Sequence, residues 1–589
     1  MNISGGEDHH HSISWNSLAS NIKNSISQVF VEEAIYDYKL PYRPPSTRTV
    51  RGSSFIVAII DNEIYLLTNA HVVENALNIQ LRFPITGKND IPCELLAFCP
   101  SKDIALLKIS AEHSIQLLSK VKPLTFADSA LVLQGDKVIA AGYPLGEENI
   151  QFTSGDVSGF HSSDDDDERD EGEKDRLLAY IQITAPINPG NSGGPALNMK
   201  GEVIGINAAG FMLAQNIGYA IPTRTIFAIL NKIIQIAINK DGIMVYQPTL
   251  GFSWNTGSLE LCQKNSCVPI DGIYVKSVYP TSSLTRDRHY EDDLCQRLIK
   301  IKDHLHNEYN QNMLSTQVNN ALGQLISSYC PNRVIDLGLS TNYLLEGDII
   351  SEIHFANIYT SFDVVQLFGQ GGQLICNNQQ PIICKIDNYG QATVTGDPKI
   401  TRILDLQEVI DMIPADLIFK VIVIRRTADD KAYRVELTAN YQSLEVANWM
   451  IRKIYPRFEP SRLDYVIFAG MVVAQLADQF YSTESSLKSG SKRYGRYLVV
   501  TTVYTSTSMD RLHAIYKGNI LTHINGERVT TIRELRALLR KAKTRPVLEL
   551  RFMDKTMVAL NLKKVLEEDS ELIEKYSIPA NNQLQEWLN

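Results

Sequence analysis

Short runs of aliphatic and β-branched residues, separated by turn residues, fill the chain from about residue 25 to residue 230. Examples are SSFIVAII, EIYLLTNAHVV, IALLKI and EVIGINAA, and residues that favour turns flank each of them. Many short strands at close spacing favour a closed barrel or a sandwich over alternating strands and helices. The sequence therefore predicts a mainly β domain over residues 25–240, preceded by a flexible tail over residues 1–24.

The chain has 589 residues, which is too long for a single hydrophobic core, so further domains must follow. Two later segments resemble each other: GDIISEIHFANI begins at Gly347, and GNILTHINGERV begins at Gly518. Each is followed by a helix-like run and then by another apolar strand. A duplicated β-rich module with one helix explains the likeness, and chance similarity of two short strands is the alternative. We place the modules at 245–445 and 455–570, before a C-terminal tail over 571–589.

The first module is longer than the second because it contains two additional stretches. In 286–342, Leu294, Leu298 and Ile301 recur at helical spacing, which predicts a helical hairpin. The stretch 357–400 is polar, with several Gly and Asn residues, and its pattern assigns no structure.

Composition and charge exclude several classes of protein. The formal net charge of −9 and the pI near 5.8 provide no basic surface for nucleic acid. The longest apolar stretch, residues 465–477, is too short to span a membrane, and the N-terminal region shows no secretory signal. We therefore expect a soluble, intracellular protein, most simply a cytoplasmic one, without a membrane span.

The eight cysteines contain no CxxC pair, and no histidine lies near them at the spacing of metal ligands. Free thiols in a reducing compartment are the expected state. His9, His10 and His11 could bind a metal, but a solvated tail is the favoured interpretation. The sequence therefore predicts no metal site.

The stretch APINPGNSGGPAL, residues 185–197, places Ser192 among glycines. A serine hydroxyl is a poor nucleophile unless a base accepts its proton and a buried acid orients that base. His71 lies where an apolar strand runs into a turn, and Asp103 precedes another apolar strand, a costly place for an unpaired carboxylate. Each residue alone has a structural alternative: a satisfied core histidine, a turn-capping aspartate, or a loop that needs positive φ. Their order at strand ends of one domain favours a catalytic trio.

The glycines around the serine predict a site for a negatively charged oxygen. Backbone N–H groups of Gly190, Asn191 and Ser192 can converge on such an oxygen only in a tight turn that larger side chains would obstruct. Gly193 and Gly194 are expected to let a substrate backbone approach closely.

Five segments, TNAHVV, DIALLKI, GYPLG, INPGNSGGPALN and IGYAIPT, resemble in order and context the trypsin-like serine proteases of the HtrA/Deg family. This resemblance covers about 25–235. Over 245–565 it is weaker and consists of the two modules, which resemble PDZ domains. The LPYRPP segment that begins at Leu40 and the divergent PDZ-like modules are most similar to the plant-type Deg branch.

The resemblance implies a mainly β chain: two packed six-stranded barrels with the active site between them, then two PDZ-like domains, the first with a helical insertion. His71 would act as general base and then acid, Asp103 would orient it, and Ser192 would form an acyl-enzyme. Gly190, Asn191 and Ser192 would form the oxyanion hole, and no metal or cofactor is implied. The implied activity is ATP-independent endoproteolysis of unfolded or damaged proteins, with chaperone-like quality control. A catalytically silent or partner-activated PDZ scaffold is the alternative.

The resemblance assigns the primary specificity pocket to Pro186, Ile187 and Ile217. None of these residues carries a charge, so the pocket would favour aliphatic or small side chains at the cleavage site. The family usually shows TDAAIN where this chain has ITAPIN. Thr184 and Pro186 therefore put the outline of the pocket in doubt, while the catalytic trio is unaffected.

A PDZ domain binds a C-terminal carboxylate through backbone N–H groups of a turn, while the peptide adds as a strand. In the first module, Leu250, Gly251 and Phe252 would form that turn and bind C-terminal peptides. In the second module the turn at 469–471 aligns less well, so that module is expected to serve as an assembly surface. Family members form trimers or multiples of trimers, so the resemblance implies a homo-oligomer, with contacts from residues 12–45.

The run DDDDERDEGEKD, residues 164–175, carries nine acids against two bases. It lies where the family carries a regulatory loop. Because salt screens exposed charges, the run predicts activation that is sensitive to salt or to basic partners. An inert, solvated insertion is the alternative.

Overall fold

The structure is a computed structural model. It describes residues 15–162, 178–208, 217–240, 242–246, 252–255, 271–278, 344–345, 347–356, 362–373, 381–415, 417–426, 432–440, 452–477, 479 and 496–578. Two compact units are described separately below: one holds 1–245, 362–373 and 449–589, and the other holds 246–361 and 374–448.

The first unit begins with a closed six-stranded barrel in the order β1-β2-β3-β6-β5-β4. Its strands are β1 (Ile26–Ile35), β2 (Ser46–Ile60), β3 (Glu63–Thr68), β4 (Ala76–Arg82), β5 (Ile91–Cys99) and β6 (Ile104–Ile109). Neighbouring strands are antiparallel, so the short apolar runs of the sequence pair directly. Their inward side chains, including Leu66, Leu81 and Leu107, form a buried core.

A second closed six-stranded barrel follows in the same unit, in the order β10-β11-β12-β9-β8-β7. Its strands are β7 (Lys137–Gly142), β8 (Gln151–Ser162), β9 (Ala179–Ile183), β10 (Pro195–Leu197), β11 (Val203–Ala208) and β12 (Gly218–Pro222). Val138, Ile181 and Ile204 lie in its core. The two barrels confirm the mainly β fold expected for this part of the chain.

Helices connect and cover the barrels. They are α1 (Trp15–Ile22), α2 (Ala70–Val73), α3 (Ala111–Ser114) and α4 (Thr223–Asn239), with 3-10 turns at Lys23–Ser25, Pro84–Thr86, Ser129–Leu131 and Pro144–Gly146. Helix α4 packs against β5 and β6 of the first barrel and β11 and β12 of the second. In its first turn, the buried Arg224 binds the Asp128 carboxylate through Nε and Nη2 at 2.7 and 2.9 Å. Since a buried charge is costly unless it is paired, this contact anchors α4.

Residues 362–373, from the stretch whose pattern assigned no structure, pack with the first unit. They contain the helix α5 (Val364–Gly369), whose N-cap is Asp363. The ring of Phe368 lies 4.5 Å from the ring of Tyr65 on β3. This part of the first module therefore contacts the first barrel, which the sequence pattern did not indicate.

The second unit is built on an eight-stranded sheet in the order β13-β14-β15-β16-β17-β18, with β19 pairing with both β15 and β20. Its strands are β13 (Phe252–Asn255), β14 (Ile273–Val278), β15 (Ile349–Phe355), β16 (Ile382–Ile386), β17 (Gln391–Thr395), β18 (Leu404–Asp405), β19 (Ile418–Arg426) and β20 (Ala432–Asn440). Helix α6 (Leu406–Met412) begins at the N-cap Asp405, with Glu408 completing a capping box.

The first unit also contains a seven-stranded sheet in the order β21-β22-β23-β24-β26-β27, with β25 beside β24. Its strands are β21 (Tyr465–Phe468), β22 (Met471–Gln475), β23 (Leu498–Val503), β24 (Ile520–Ile524), β25 (Glu527–Arg528), β26 (Val547–Phe552) and β27 (Met557–Asn561). Its helices are α7 (Ser508–Arg511), α8 (Ile532–Ala542) and α9 (Leu562–Lys575), and a 3-10 turn covers Pro460–Leu463.

One pattern of five paired strands recurs in the last two sheets: β13-β14-β15-β19-β20 in one and β22-β23-β24-β26-β27 in the other. The two similar sequence segments form β15 in the first case and β24 with β25 in the second. A helix, α6 or α8, precedes the fourth strand of each pattern. This shared order supports a duplicated module.

Within the first unit, the domain built on the last sheet packs against the first barrel. The ring of Phe98 on β5 lies 5.8 Å from the ring of Tyr455 and 5.2 Å from that of Phe458. Lys453 forms an ion pair with Glu74, which follows α2. The contacts are therefore both apolar and charged.

The segment after β1 also contacts this domain. The hydroxyl of Thr502 donates to the carbonyl of Lys39 at 2.8 Å, and the hydroxyl of Tyr504 donates to that of Tyr42 at 3.1 Å. This segment, part of the stretch 12–45 expected to contact other subunits, thus packs within its own chain. Over the described ranges, no helix is long and apolar enough to cross a membrane.

Candidate active site

His71 and Asp103 form a hydrogen-bonded pair in the first barrel. His71 lies in α2, just after β3, and its side chain is 25% exposed. Asp103 precedes β6 and is fully buried. Nδ1 of His71 lies 2.8 Å from Oδ2 and 3.0 Å from Oδ1 of Asp103. With the proton on Nδ1, the second ring nitrogen, Nε2, is left to accept a proton.

The local backbone holds the Asp103 carboxylate in place. Asp103 has a φ of 54°, a left-handed conformation that Asn and Asp accept more readily than most residues. Its Oδ1 accepts the backbone N–H of His71 at 2.9 Å, and its carbonyl accepts from Nδ2 of Asn69, also at 2.9 Å. The imidazole and the carboxylate are therefore fixed relative to each other.

Ser192 lies on a tight loop of the second barrel that reaches the first. Its side chain is buried, and its carbonyl accepts the N–H of Ser53 on β2 at 2.8 Å. The next residue, Gly193, has a φ of 86°, and a β-carbon there would overlap the carbonyl of Ser53 and the hydroxyl of Thr68. Because Thr68 ends β3 directly before α2, the serine loop packs against the turn that carries the histidine.

The structure gives Gly193 and Gly194 a packing role that the sequence did not indicate. A β-carbon on Gly193 would overlap the first barrel, and one on Gly194 would overlap the carbonyl of Ala141 on β7. Both glycines permit close packing of the protein's own backbone, and their role toward a substrate stays a prediction.

The turn over 188–191 orients the N–H groups predicted for the oxyanion hole. The N–H of Asn191 donates to the carbonyl of Asn188 at 3.0 Å and closes a turn in which Gly190 has a φ of 103°. Asn191 is therefore unavailable to an oxyanion, which corrects the prediction for this residue. Among the hydrogen bonds of the described residues, none uses the N–H of Gly190 or of Ser192. These two N–H groups therefore have no acceptor among the described residues.

A further contact fixes the peptide plane that carries the N–H of Gly190. The carbonyl of Pro189 accepts the N–H of Leu145, in the GYPLG segment, at 2.7 Å. In a trans peptide the N–H points opposite to the carbonyl, so this bond sets the direction of the Gly190 donor. Burial raises the pKa of the neighbouring Tyr143, whose neutral hydroxyl donates to the carbonyl of Ile26 at 3.3 Å.

The residues predicted for the specificity pocket differ in exposure. Ile187 is half-buried and packs against the core of the second barrel. A β-carbon on Gly218 would overlap Ile187, and Ile217, the residue before Gly218, is half-buried. Pro186 is exposed, and its carbonyl accepts from the hydroxyl of Thr153 at 3.4 Å. The role of these three residues stays a prediction.

Several predicted features lie outside the described residues. They are Leu250 and Gly251 of the first PDZ-like turn, the acidic run 164–175 and the helical hairpin in 286–342. Phe252, the third residue of that turn, is buried at the start of β13.

Two long-range contacts have no local sequence signal. The hydroxyl of Ser53 donates to the carbonyl of Gly190, 137 residues away along the chain. The carboxylate of Asp569 accepts the N–H groups of Ala469 and Gly470, about 100 residues away. Pattern analysis examines neighbours in sequence, so it does not detect such contacts.

Two family models match the chain. One, described as a trypsin-like peptidase domain, covers residues 52–206, and the other, described as a PDZ domain, covers residues 457–583. The first match contains His71, Asp103 and Ser192, and the second contains the whole of the last sheet.

Several curated relatives align with part of the chain. HhoA of Synechocystis is 34% identical over 253 residues, 41% of this chain and 59% of its own length. The chloroplastic Protease Do-like 2 of Arabidopsis thaliana is 31% identical over 274 residues, 45% of this chain and 40% of its own length. The serine protease Do-like HtrA of Lactococcus lactis is 32% identical over 208 residues, 34% of this chain and 47% of its own length. The chain thus spans 40 to 59% of the length of these three relatives.

Proposed function

We propose that this chain, which carries a trypsin-like peptidase domain and a PDZ domain and is homologous to the HtrA/Deg serine proteases, is a serine endopeptidase. The observation that carries the proposal is the buried Asp103 carboxylate bonded to Nδ1 of His71 at 2.8 Å. A buried acid that orients an imidazole is the arrangement that activates a serine hydroxyl. The loop of Ser192 packs directly against the end of β3, so the proposed nucleophile belongs to the same site.

Acylation uses these three residues in sequence. Oγ of Ser192 attacks the carbonyl carbon of the scissile peptide bond, and its proton passes to Nε2 of His71. The carbonyl electron pair moves onto oxygen, and the N–H groups of Gly190 and Ser192 stabilise that oxyanion. His71 then protonates the leaving amine, the C–N bond breaks, and the acyl group stays on Ser192.

Deacylation repeats the cycle with water. His71 takes a proton from the water as its oxygen attacks the acyl carbon, and it returns the proton to Ser192 when the ester bond breaks. Asp103 stays ionised and stabilises the imidazolium that forms in each half of the cycle. The enzyme is regenerated, with water as co-reactant.

The proposal extends to the kind of substrate. Ile187 packs against the core of the second barrel and lies beside the backbone of Gly218. An apolar pocket formed by Ile187 and Ile217 would accommodate aliphatic or small side chains at the cleavage site. Such residues are accessible in unfolded or damaged proteins, so these are the proposed substrates, cleaved without ATP. Regulation by the PDZ-like domains and assembly into a homo-oligomer are part of the proposal because the sequence resembles proteases that share both properties.

Digestion of an unfolded, casein-like protein tests the proposal. We expect the parent chain to cleave it and the Ser192→Ala and His71→Ala variants to lose at least about 10³-fold in rate. The exposed His113 provides a matched control, and His113→Ala should retain the parent rate. A parent chain that does not cleave, with or without added C-terminal peptides, would instead support a silent PDZ scaffold.

A further inference from the structure

Ser53, on β2, contacts residues 188–192, the segment that carries the proposed oxyanion donors and is called the oxyanion loop below. It is fully buried, and each of its polar backbone and side-chain atoms is hydrogen-bonded. Its hydroxyl donates to the carbonyl of Gly190 at 2.7 Å and accepts the N–H of Tyr143 at 3.0 Å. Its own N–H donates to the carbonyl of Ser192 at 2.8 Å, and its carbonyl accepts the hydroxyl of Thr68 at 2.8 Å.

The two carbonyls held by Ser53 belong to Gly190 and Ser192, whose N–H groups have no acceptor among the described residues and are the proposed oxyanion donors. Gly190 is therefore fixed on both sides, by Leu145 through the preceding peptide plane and by Ser53 through the following one. Ser192 is fixed in the same way, because the preceding carbonyl of Asn191 accepts from Gly194 at 3.0 Å. Glycine has wide conformational freedom, so the support of Gly190 depends on such external bonds.

We propose that Ser53 is a positioning residue for the proposed reaction: its hydroxyl holds Gly190 so that the two oxyanion donors point to one place. This inference rests on the proposed protease function. The same hydroxyl also holds Tyr143, two residues before Leu145, so one side chain couples both supports of the Gly190 turn. Displacing an N–H donor by a fraction of an ångström weakens its hydrogen bond to the transition-state oxyanion, and this slows the reaction even where the protein still folds.

Steady-state kinetics of Ser53→Ala and Ser54→Ala provide the test. Ser54 is equally buried and adjacent, but its hydroxyl bonds to that of Ser27, away from the oxyanion loop. The substrate is a peptide p-nitroanilide with valine at the cleavage site, and the affinity of the matching peptide boronate reports the tetrahedral state. Ser53→Cys retains a weaker donor and acceptor of similar size, and it provides a second variant if Ser53→Ala does not fold.

For Ser53→Ala we expect kcat to fall about 10- to 100-fold, KM to change less than about threefold, and boronate affinity to fall with kcat. The pH dependence of kcat/KM should be unchanged, since His71 and Asp103 keep their contacts. The kcat of Ser53→Cys should lie between those of the parent protein and Ser53→Ala. Ser54→Ala should keep the parent kcat. An active parent with no specific loss in Ser53→Ala or Ser53→Cys overturns this inference alone. An inactive parent overturns the proposed function and this inference with it.

A different observation concerns the turn between β21 and β22. Ala469 and Gly470 both have positive φ, and their N–H groups lie 2.6 and 2.7 Å from the two carboxylate oxygens of Asp569. Asp569 is fully buried on α9. In a PDZ domain, N–H groups of such a turn bind the terminal carboxylate of a peptide. Here a carboxylate of the same chain occupies them.

The strand after this turn also has no free edge. Strand β22 pairs with β21 along one edge and with β23 along the other. Helix α8 contacts β21, and Nη2 of its Arg536 donates to the carbonyl of Tyr465 at 3.5 Å. A peptide that binds by strand addition needs an unpaired edge beside the turn. The geometry points to Asp569 and β21 as internal ligands, so that this domain does not take C-terminal peptides at this turn.

Photo-crosslinking of the full-length protein tests this second inference. The probe is a hexapeptide with a C-terminal valine and a benzophenone group, and its matched control carries a C-terminal amide. We expect no carboxylate-dependent crosslinks within 465–475. We also expect Asp569→Asn to melt at a lower temperature than Glu571→Gln, an exposed acid on the same helix. Carboxylate-dependent crosslinks within 465–475, or equal melting of the two variants, would overturn the inference.

Discussion

At the residue scale, the Asp103 carboxylate has the most specific role in the proposed chemistry. Replacing it with Asn keeps the size of the side chain but allows the wrong tautomer of His71, so we expect kcat to fall about 10⁴-fold, with folding retained. Steady-state kinetics on the peptide p-nitroanilide measure this change. Asp136→Asn, at an exposed position of the same domain, should keep the parent kcat. If Asp103→Asn retained most of the activity, the roles assigned to this pair would be wrong.

Buried thiols allow a second prediction at this scale. Burial raises the pKa of Cys384 to about 12, and it raises the pKa of the buried Cys99 as well. The thiolate is the reactive form, and a raised pKa lowers its population at every pH below that value. We therefore expect neither residue to react with N-ethylmaleimide near neutral pH until the protein is unfolded. Peptide mapping measures the labelling, and rapid reaction of native Cys384 would contradict the described packing.

The sequence predicted three residues of the proposed site but not the contacts that support them. His71, Asp103 and Ser192 each lie at a strand end, which short-range patterns reveal. Ser53 lies within an ordinary strand, and its partners come from the other barrel. The commitment of the Asn191 N–H to Asn188 depends on turn geometry that the run PGNSGG permits but does not specify.

At the scale of elements, the buried Arg224–Asp128 pair anchors α4 across the two barrels. Truncating Arg224 to Ala leaves the Asp128 carboxylate buried without its cation, which costs about 3 to 5 kcal/mol of unfolding free energy. Arg48→Ala, which removes an exposed ion pair with Glu33, should cost less than about 1 kcal/mol. Chemical denaturation measures the unfolding free energy of both variants. A loss for Arg224→Ala as small as that expected for Arg48→Ala would show that the Arg224–Asp128 pair does not stabilise the domain.

Element prediction succeeded where the sequence pattern is local and repeated. The short β runs formed the two barrels, and the two similar segments took the same place in two sheets. Helix α5 was missed because it has only six residues within a polar stretch, and Phe368 packs on a strand about 300 residues earlier in the chain. Such tertiary contacts outweigh weak local preferences.

At the scale of the whole molecule, the segment that leads into the PDZ domain packs against the first barrel within the first unit. Tyr455 is buried and packs edge-on against Phe98 of β5. Tyr455→Ala should therefore lower the unfolding free energy of this unit by about 3 kcal/mol, while Tyr516→Ala, at an exposed position, should have little effect. Differential scanning calorimetry reports the shift. Unchanged melting of Tyr455→Ala would contradict this packing.

The central claim, that Ser192 is an activated nucleophile, is tested most directly by peptide mapping after reaction with a fluorophosphonate. We expect one phosphonyl adduct, on Ser192, which is absent in Ser192→Ala and forms much more slowly in Asp103→Asn. No adduct on the parent protein, or an adduct that survives in Ser192→Ala, would contradict the claim.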